Sequence, residues 1–323
     1  MKAKRSKRRI GIPVLLLVVI LVAFSVILIR GHKSDNSVNE LISLSYDGEI
    51  AVDVADNTPD FSDDEIKRAE KGCYEEYSDL DSLGRCGTAV ACIGTDTMPS
   101  EGETRTSLGS VMPSGWQTIN FWCRCHLIGY QLSAENANEK NLITGTTRMN
   151  MSGMLPYENM VAAYIGNDPG RHVLYKVTPI YSGKELVARG VEMQAMSVED
   201  RGRELAFNVY CFNYQPGYII DYENGNVEDD PEHQTVITIE DKRKAYSGTP
   251  AEIDEATVKG STGAVRYIYY TDKSAKKKTD ERTGAESSGA APSRRGTYYV
   301  RAVVAGDEWY PTAASNVAKL VVY

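Results

Sequence analysis

Residues Ile10 to Ile29 form twenty consecutive positions without a charged side chain. At about 1.5 Å per helical residue this reaches across the roughly 30 Å of bilayer hydrocarbon, so the pattern predicts one transmembrane helix over 10–29. From His32 to about Glu40 the sequence is polar and aperiodic and reads as a tether. Beyond Tyr46 the period changes. Val173, Tyr175 and Val177 share one face of an extended run, Ser182-Gly183-Lys184 supplies a turn, and Leu186 to Met193 and Leu205 to Phe212 read as two further strands. Together they predict an antiparallel sheet. Between Leu155 and Ile165 the spacing is helical, with Pro156 in the first turn, Met160, Ala163 and Tyr164 on one face, and Gly166-Asn167 as the stop.

The C-terminal part differs in kind. Thr235 to Ile239, Val265 to Tyr270, Thr297 to Val304 and Val317 to Tyr323 are β-branched and aromatic runs separated by Gly, Ser, Pro and charge, which predicts a small all-β sandwich. Thr271 to Gly296 reads as a long loop or hairpin tip, and its Lys276-Lys277-Lys278 run as a solvated face. The expected organisation is a cytoplasmic basic segment at 1–9, a transmembrane anchor at 10–29, a tether at 30–45, a first domain at 46–228 and the sandwich at 229–323. Six cations before the apolar run place everything after Arg30 outside the cell by the positive-inside rule. A cleavable signal is the competing reading. Its apolar region is usually about 7 to 15 residues and ends at a small-x-small site, which Ile27-Leu28-Ile29-Arg30 does not supply.

Charge and cysteine content sharpen this picture. The chain has 36 Lys and Arg against 44 Asp and Glu; without the six N-terminal cations, 30 basic residues face 44 acidic ones, a net charge of −14. A protein that holds a polyanion usually carries the opposite sign, so overall charge argues against nucleic acid. All six cysteines lie between Cys73 and Cys211, in one region of an exported chain where disulfides can form. On a regular strand Cys123 and Cys125 share a face about 6.5 Å apart, so a bond between them is awkward. Bonds from this pair to Cys73, Cys86, Cys92 or Cys211 are expected, with buried free thiols as the alternative.

Of four histidines, His32, His172 and His233 have no convincing partner set in the sequence. His126 follows an extended run containing Ile119 and Phe121, where a strand can deliver it to the edge of a site. Asn136, Asn138 and Asn141 follow, then Asn150, then Glu158 at the start of the expected helix. Neutral amides and one carboxylate suit hydrated Mg2+ better than a tight zinc site, which prefers Cys and His. A Cys-x-Cys-His zinc site lacks a marked fourth ligand, and the asparagines taken alone would read as turn caps.

Taken together, Arg124-Cys125-His126-Leu127-Ile128-Gly129-Tyr130-Gln131, Asn136-Ala137-Asn138-Glu139-Lys140-Asn141-Leu142-Ile143-Thr144, Arg148-Met149-Asn150 and Tyr157-Glu158-Asn159 resemble the DNA/RNA non-specific endonucleases of the ββα-metal (His-Me finger) group. Leu83-Gly84-Arg85-Cys86-Gly87 and Pro113-Ser114-Gly115-Trp116 resemble its Gram-positive branch, and the likeness covers roughly residues 46–228. The resemblance implies an α+β fold, a ββα-metal nuclease domain with an antiparallel sheet and a central helix. It also implies His126 as general base, Asn150 as the direct Mg2+ ligand (Mn2+ the substitute), Glu158 holding a metal-bound water, Asn141 as organiser of the site, and products with 5′ phosphates. A neutral imidazole can take a proton from water near pH 7, and a divalent ion can carry charge on the phosphate and leaving oxygen.

The sequence departs from the family's usual Asp-Arg-Gly-His, reading Cys123-Arg124-Cys125-His126, so the group that orients His126 is not marked. Ala162 stands where some relatives carry arginine. Arg124, Arg148, Arg105 and Arg85 are then the candidates to contact phosphate, each with a structural ion-pair reading beside it. Trp116 and Trp122 read as core rather than base-stacking platforms. The C-terminal segments Tyr246 to Pro250, Tyr267 to Tyr270 and Gly296 to Ala302 resemble the Ig-like modules of Gram-positive surface proteins. The reading is a membrane-anchored extracellular nuclease acting on DNA and RNA, with a C-terminal Ig-like sandwich that binds a cell-surface ligand. Its rivals are an inert surface protein retaining the fold and a phosphodiesterase for small nucleotides.

Overall fold

Alternating apolar side chains build the central sheet. The computed structural model describes residues 38–253, 255–279 and 289–323, so the basic segment at 1–9 and the anchor expected over 10–29 lie outside the described residues. Among those described, no helix is long and apolar enough to cross a membrane. The chain divides into Met1–Ser45 and Tyr46–Tyr323. The expected tether contains a short helix over 38–43, where Glu and Leu favour helix.

Within the second unit the chain runs through β1 (Ala51–Asp53), α1 (Asp63–Ala69), β2 (Tyr74–Tyr77), β3 (Ala89–Ile93), β4 (Trp122–His126), α2 (Tyr130–Ser133), β5 (Leu142–Thr146), a π-helical turn (Met149–Met154), α3 (Leu155–Gly166), β6 (Val173–Ile180), β7 (Gly190–Ser197) and β8 (Ala206–Phe212). Six strands form one sheet in the order β1-β8-β7-β6-β3-β2, every neighbour antiparallel. Val173, Tyr175 and Val177 do point to one side, into the main core with Val161, Ile165 and Phe207. Leu174 points to the other side, where Ala69, Cys92 and Met196 form a second layer under α1. Both faces are therefore covered. Each large side chain so buried contributes on the order of 1.5–3 kcal/mol. Ser62 and Glu65 cap α1 reciprocally, which fixes where that layer begins.

Two expectations shift. The strand expected over Leu186 to Met193 is β7, which starts four residues later; Leu186 and Val187 instead donate their N–H groups to Tyr222 O. Helix α3 has the expected bounds but turns a different face inward. Glu158, Val161 and Ile165 are buried, whereas Met160 is 47% exposed and Ala163 is exposed. The π-helical turn rotates the chain just before α3, and a carboxylate enters the stripe that hydrophobicity alone would fill with methionine.

Strands β9 (Tyr218–Ile220) and β10 (Val227–Asp229) form a hairpin after the sheet. The remainder is all β: β11 (Val236–Thr238) pairs with β13 (Thr257–Lys259), while β12 (Lys242–Lys244), β14 (Val265–Tyr270), β15 (Gly296–Val304), β16 (Ala313–Ala314) and β17 (Ala318–Val322) form a five-stranded sheet. They enclose their own core of Ile237, Tyr269, Val300, Ala302, Leu320 and Val322. All six cysteines are free thiols, so the expected disulfides from Cys123 and Cys125 are replaced by their alternative.

Candidate active site

Strands β4 and β5 pair antiparallel with His126 opposite Leu142, forming a ribbon separate from the main sheet. Buried Asn213, just beyond β8, docks it: its Oδ1 accepts from Thr146 N at 2.8 Å and its Nδ2 donates to Thr144 O and Ala188 O. At the ribbon's end Asn141 closes a second clasp. Its Oδ1 accepts from Ile128 N at 2.9 Å and its Nδ2 donates to Ile128 O at 3.0 Å. The turn carrying His126 is thereby tied at two levels, because Leu127 N also bonds Asn141 O.

His126 is buried, and both ring nitrogens are engaged. Nε2 lies 2.8 Å from the backbone carbonyl of Asn136, and Nδ1 lies 3.3 Å from a guanidinium nitrogen of Arg105. A carbonyl can only accept and a guanidinium can only donate, so Nε2 carries the proton and Nδ1 presents its lone pair. This neutral tautomer is the one a general base needs. Burial first, and the Arg105 charge as well, lower the imidazole pKa; the Asn136 carbonyl partly opposes them. The group that orients His126 is thus a main-chain oxygen. Asn136 stood among the marked asparagines, but a role played through a backbone carbonyl leaves no trace in residue type.

Glu158 enters from the first turn of α3. Burial pushes its carboxyl up to about 7, only partly offset by the Gln131 amide, the Gly129 N–H and the Arg105 charge. A Cβ added at Gly129 would lie 2.6 Å from both carboxylate oxygens, so glycine here leaves the room that the Glu158 carboxylate occupies. Asn150 lies in the π-helical turn, half-buried, and its Oδ1 receives only a thiol hydrogen bond from Cys125, at 3.1 Å. The thiols of Cys123 and Cys125 also meet: the hydrogen bond to Cys123, then burial, hold the Cys125 proton far more tightly than an ordinary thiol does. With both His126 nitrogens committed, the Cys-x-Cys-His zinc arrangement does not form. Among the described residues no three His, Cys, Asp or Glu side chains converge on a metal position.

The arginines separate. Arg105, exposed on the 99–112 loop, acts on both His126 and Glu158. Arg124 turns away and donates to Gly109 O and Val111 O, holding the same loop. Arg85 is tied to Asp81, Gly183 O and Glu185 O, with Tyr181 against its guanidinium. Arg148 faces the Tyr46 hydroxyl, and its Nε is buried without a hydrogen-bond partner among the described residues. His172 and His233, which had no partners in the sequence, each meet a carboxylate at 2.7 Å, Glu199 and Asp230. Trp122 is core, as expected, and donates its Nε1–H to Gly225 O.

The donor chemistry fits a hard divalent ion. Asn150 offers an amide oxygen engaged, among the described residues, only by a weak thiol donor, and Glu158 is a buried carboxylate that forms no ion pair among them, with only the charge of Arg105 acting on it. A closed zinc site would need the softer set that is absent among the described residues.

An antiparallel sheet, a two-strand ribbon and a following helix that carry these groups define a mixed α/β nuclease fold. The sequence model of the DNA/RNA non-specific endonuclease family matches residues 35–199, just over half of the chain, and the chain belongs to that family. A deoxyribonuclease from Streptococcus dysgalactiae subsp. equisimilis is 31% identical over 147 residues, covering 40% of this chain and 44% of its own length. The chain therefore spans less than half of that curated relative. Among solved structures, NucA from Streptococcus agalactiae with magnesium bound is similar at 23% identity and a TM-score of 0.47, over 55% of this chain and 87% of that one. Sda1 nuclease with bound zinc gives 30% identity and a TM-score of 0.44, over 49% and 81%.

Proposed function

We propose that this chain is a divalent-metal-dependent, sequence-non-specific endonuclease that hydrolyses phosphodiester bonds in DNA and RNA. The observation that carries the reading is the state of His126: its Nε2–H is held by the Asn136 carbonyl, so Nδ1 is the unprotonated nitrogen, its lone pair toward Arg105. Nδ1 takes the proton of the attacking water. Asn141 fixes the turn that bears the imidazole, and Arg105, one side-chain swing from the base, receives the scissile phosphate. Asn150 would hold Mg2+, or Mn2+, with Glu158 holding a water on it, and the ion would supply Lewis-acid stabilisation of charge on the phosphate and the departing oxygen. Contacts to phosphate and sugar carry no base information, which suits a lack of sequence preference.

The β4-β5-α3 succession supports assignment to the ββα-metal group, with the nuclease domain at 46–228. The separate all-β core supports an Ig-like module at 229–323. The uncharged run at 10–29 behind six cations supports a single-pass anchor that leaves the catalytic domain outside the cell, the module free for a cell-surface ligand. The test is plasmid degradation by the full chain with Mg2+, beside His126→Ala. Cleavage by the wild type and its loss in a folded variant support the enzyme; a folded, metal-loaded wild type that leaves plasmid intact sinks it and favours an inert surface protein.

A further inference from the structure

Asn136 touches the site twice, and only its backbone contact follows from holding the base. Its side chain faces the 99–112 loop, where Nδ2 donates to Thr106 O at 2.8 Å, Thr106 Oγ1 at 2.8 Å and Ser107 O at 3.1 Å. Its Oδ1 is buried and has no partner among the described residues, so the amide's bonding is committed to that loop. These three acceptors sit on the two residues that follow Arg105. The loop has no helix or strand over residues 99–112 to hold it; Arg124 bonds Gly109 O and Val111 O beyond the strap, and before it the Tyr130 hydroxyl reaches Glu103 at 3.4 Å while the Arg105 guanidinium lies 5.4 Å from the Tyr130 ring, contacts that leave residues 106–107 to Asn136.

We propose that the Asn136 side chain is a positioning residue that pins Thr106 and Ser107 and so fixes Arg105 against the lone pair of His126, where the scissile phosphate arrives. This rests on the nuclease reading above. With the backbone held at 106–107, the travel left to Arg105 is that of its own side chain. In the free protein its N–H caps Nδ1. An arriving phosphate is the stronger partner for a guanidinium, because charge-assisted bonds to phosphate outweigh a bond to a neutral imidazole. Arg105 then moves onto the phosphate, and Nδ1 is released to water. Asn136 thus serves both halves of the exchange, its carbonyl holding the base and its amide holding the base's cap.

Substitution separates the two roles, since any residue at 136 keeps the carbonyl. In the full chain, with Mg2+ and a duplex DNA substrate, Asn136→Ala and the equal-sized Asn136→Asp should raise KM about tenfold while kcat changes less than about threefold. In an Arg105→Ala background the same changes should add less than about twofold, because the group they position is gone. A fall in kcat with KM unchanged, or a full additional loss in the Arg105→Ala background, overturns the proposal. Should both Asn136 variants melt early, Thr106→Val removes one acceptor at an exposed site; a KM rise that vanishes in the Arg105→Ala background supports the strap, and an unchanged KM overturns it. A folded wild type without cleavage would be a different failure, that of the nuclease reading itself.

Discussion

Glu158 is buried with an amide and one backbone N–H for company, a costly setting for a carboxylate. Its folded pKa, about 7, stands above the ordinary 4.5. Between those values the folded chain keeps a proton that the unfolded chain releases, so stability falls as pH rises through that window and the loss is complete above it, roughly 3 kcal/mol in all. Glu158→Gln should therefore melt several degrees above the wild type at pH 8, the two converging near pH 4.5, in thermal scans without metal. Equal melting at pH 8 would show that the carboxylate carries no such penalty. The same substitution should lower cleavage at least about tenfold, since an amide anchors a metal-bound water poorly. His126 points the other way: its lowered pKa keeps the base neutral into mildly acidic solution. Glu158 is then the group that sets the acid limb at low metal. Saturating Mg2+, by favouring the carboxylate, should move the limb of kcat/KM to lower pH, and a limb indifferent to Mg2+ would remove Glu158 from the site. His126→Ala should cost about 10²- to 10⁴-fold in rate at every pH.

At the scale of elements, the site depends on how the β4-α2 turn meets α3. Gly129→Ala would drive a methyl group to within 2.6 Å of both Glu158 oxygens, so the buried carboxylate must swing from its place beside Gln131. The variant should fold with lowered stability and lose cleavage at least as severely as Glu158→Gln. Normal activity in Gly129→Ala would mean that the position of the Glu158 carboxylate does not matter to cleavage. Asn141→Ala would leave Ile128 N without its acceptor and Ile128 O with only the Ser133 hydroxyl at 3.5 Å, and should cost about 1–3 kcal/mol in chemical denaturation. The sequence reveals these elements unevenly. Strand β6 was legible because Val173, Tyr175 and Val177 alternate, and the ends of α3 because Pro156 and Gly166 punctuate them. Strand β4 has no such pattern: Trp-Cys-Arg-Cys-His alternates large and small side chains but not apolar and polar ones, and its place is marked by the motif around His126. The inward face of α3 was hidden because its central buried group, Glu158, is charged. Asn136 could not be assigned because its hold on His126 passes through an atom that every residue has.

At the scale of the whole molecule, two hydrophobic cores lie in one unit, and an aromatic cluster joins them. Tyr46 stacks on Tyr214 at 3.9 Å, meets Trp309 edge-on at 5.0 Å, and donates its hydroxyl proton between Gly48 O and Glu308 O. Trp309 in turn stacks on His233 at 5.5 Å. Asp307 Oδ1 accepts from Trp309 N and Tyr310 N, which makes the loop bearing Trp309 a rigid wedge rather than a loose flap. Aromatic pairs of this kind contribute about 0.5–1.5 kcal/mol each beyond burial, and several of them together couple the two cores. The Arg148 guanidinium reaches the Tyr46 hydroxyl from the residue that opens the π-helical turn, two positions before Asn150, so the cluster also abuts the turn proposed to hold the metal. Calorimetry on the full chain should accordingly show the two cores melting in a single transition. Trp309→Ala should split it into two and raise the Mg2+ concentration needed for half-maximal cleavage. Two transitions already present in the wild type would show that the cores are merely tethered, and an unchanged Mg2+ requirement in Trp309→Ala would show that the wedge stops short of Asn150.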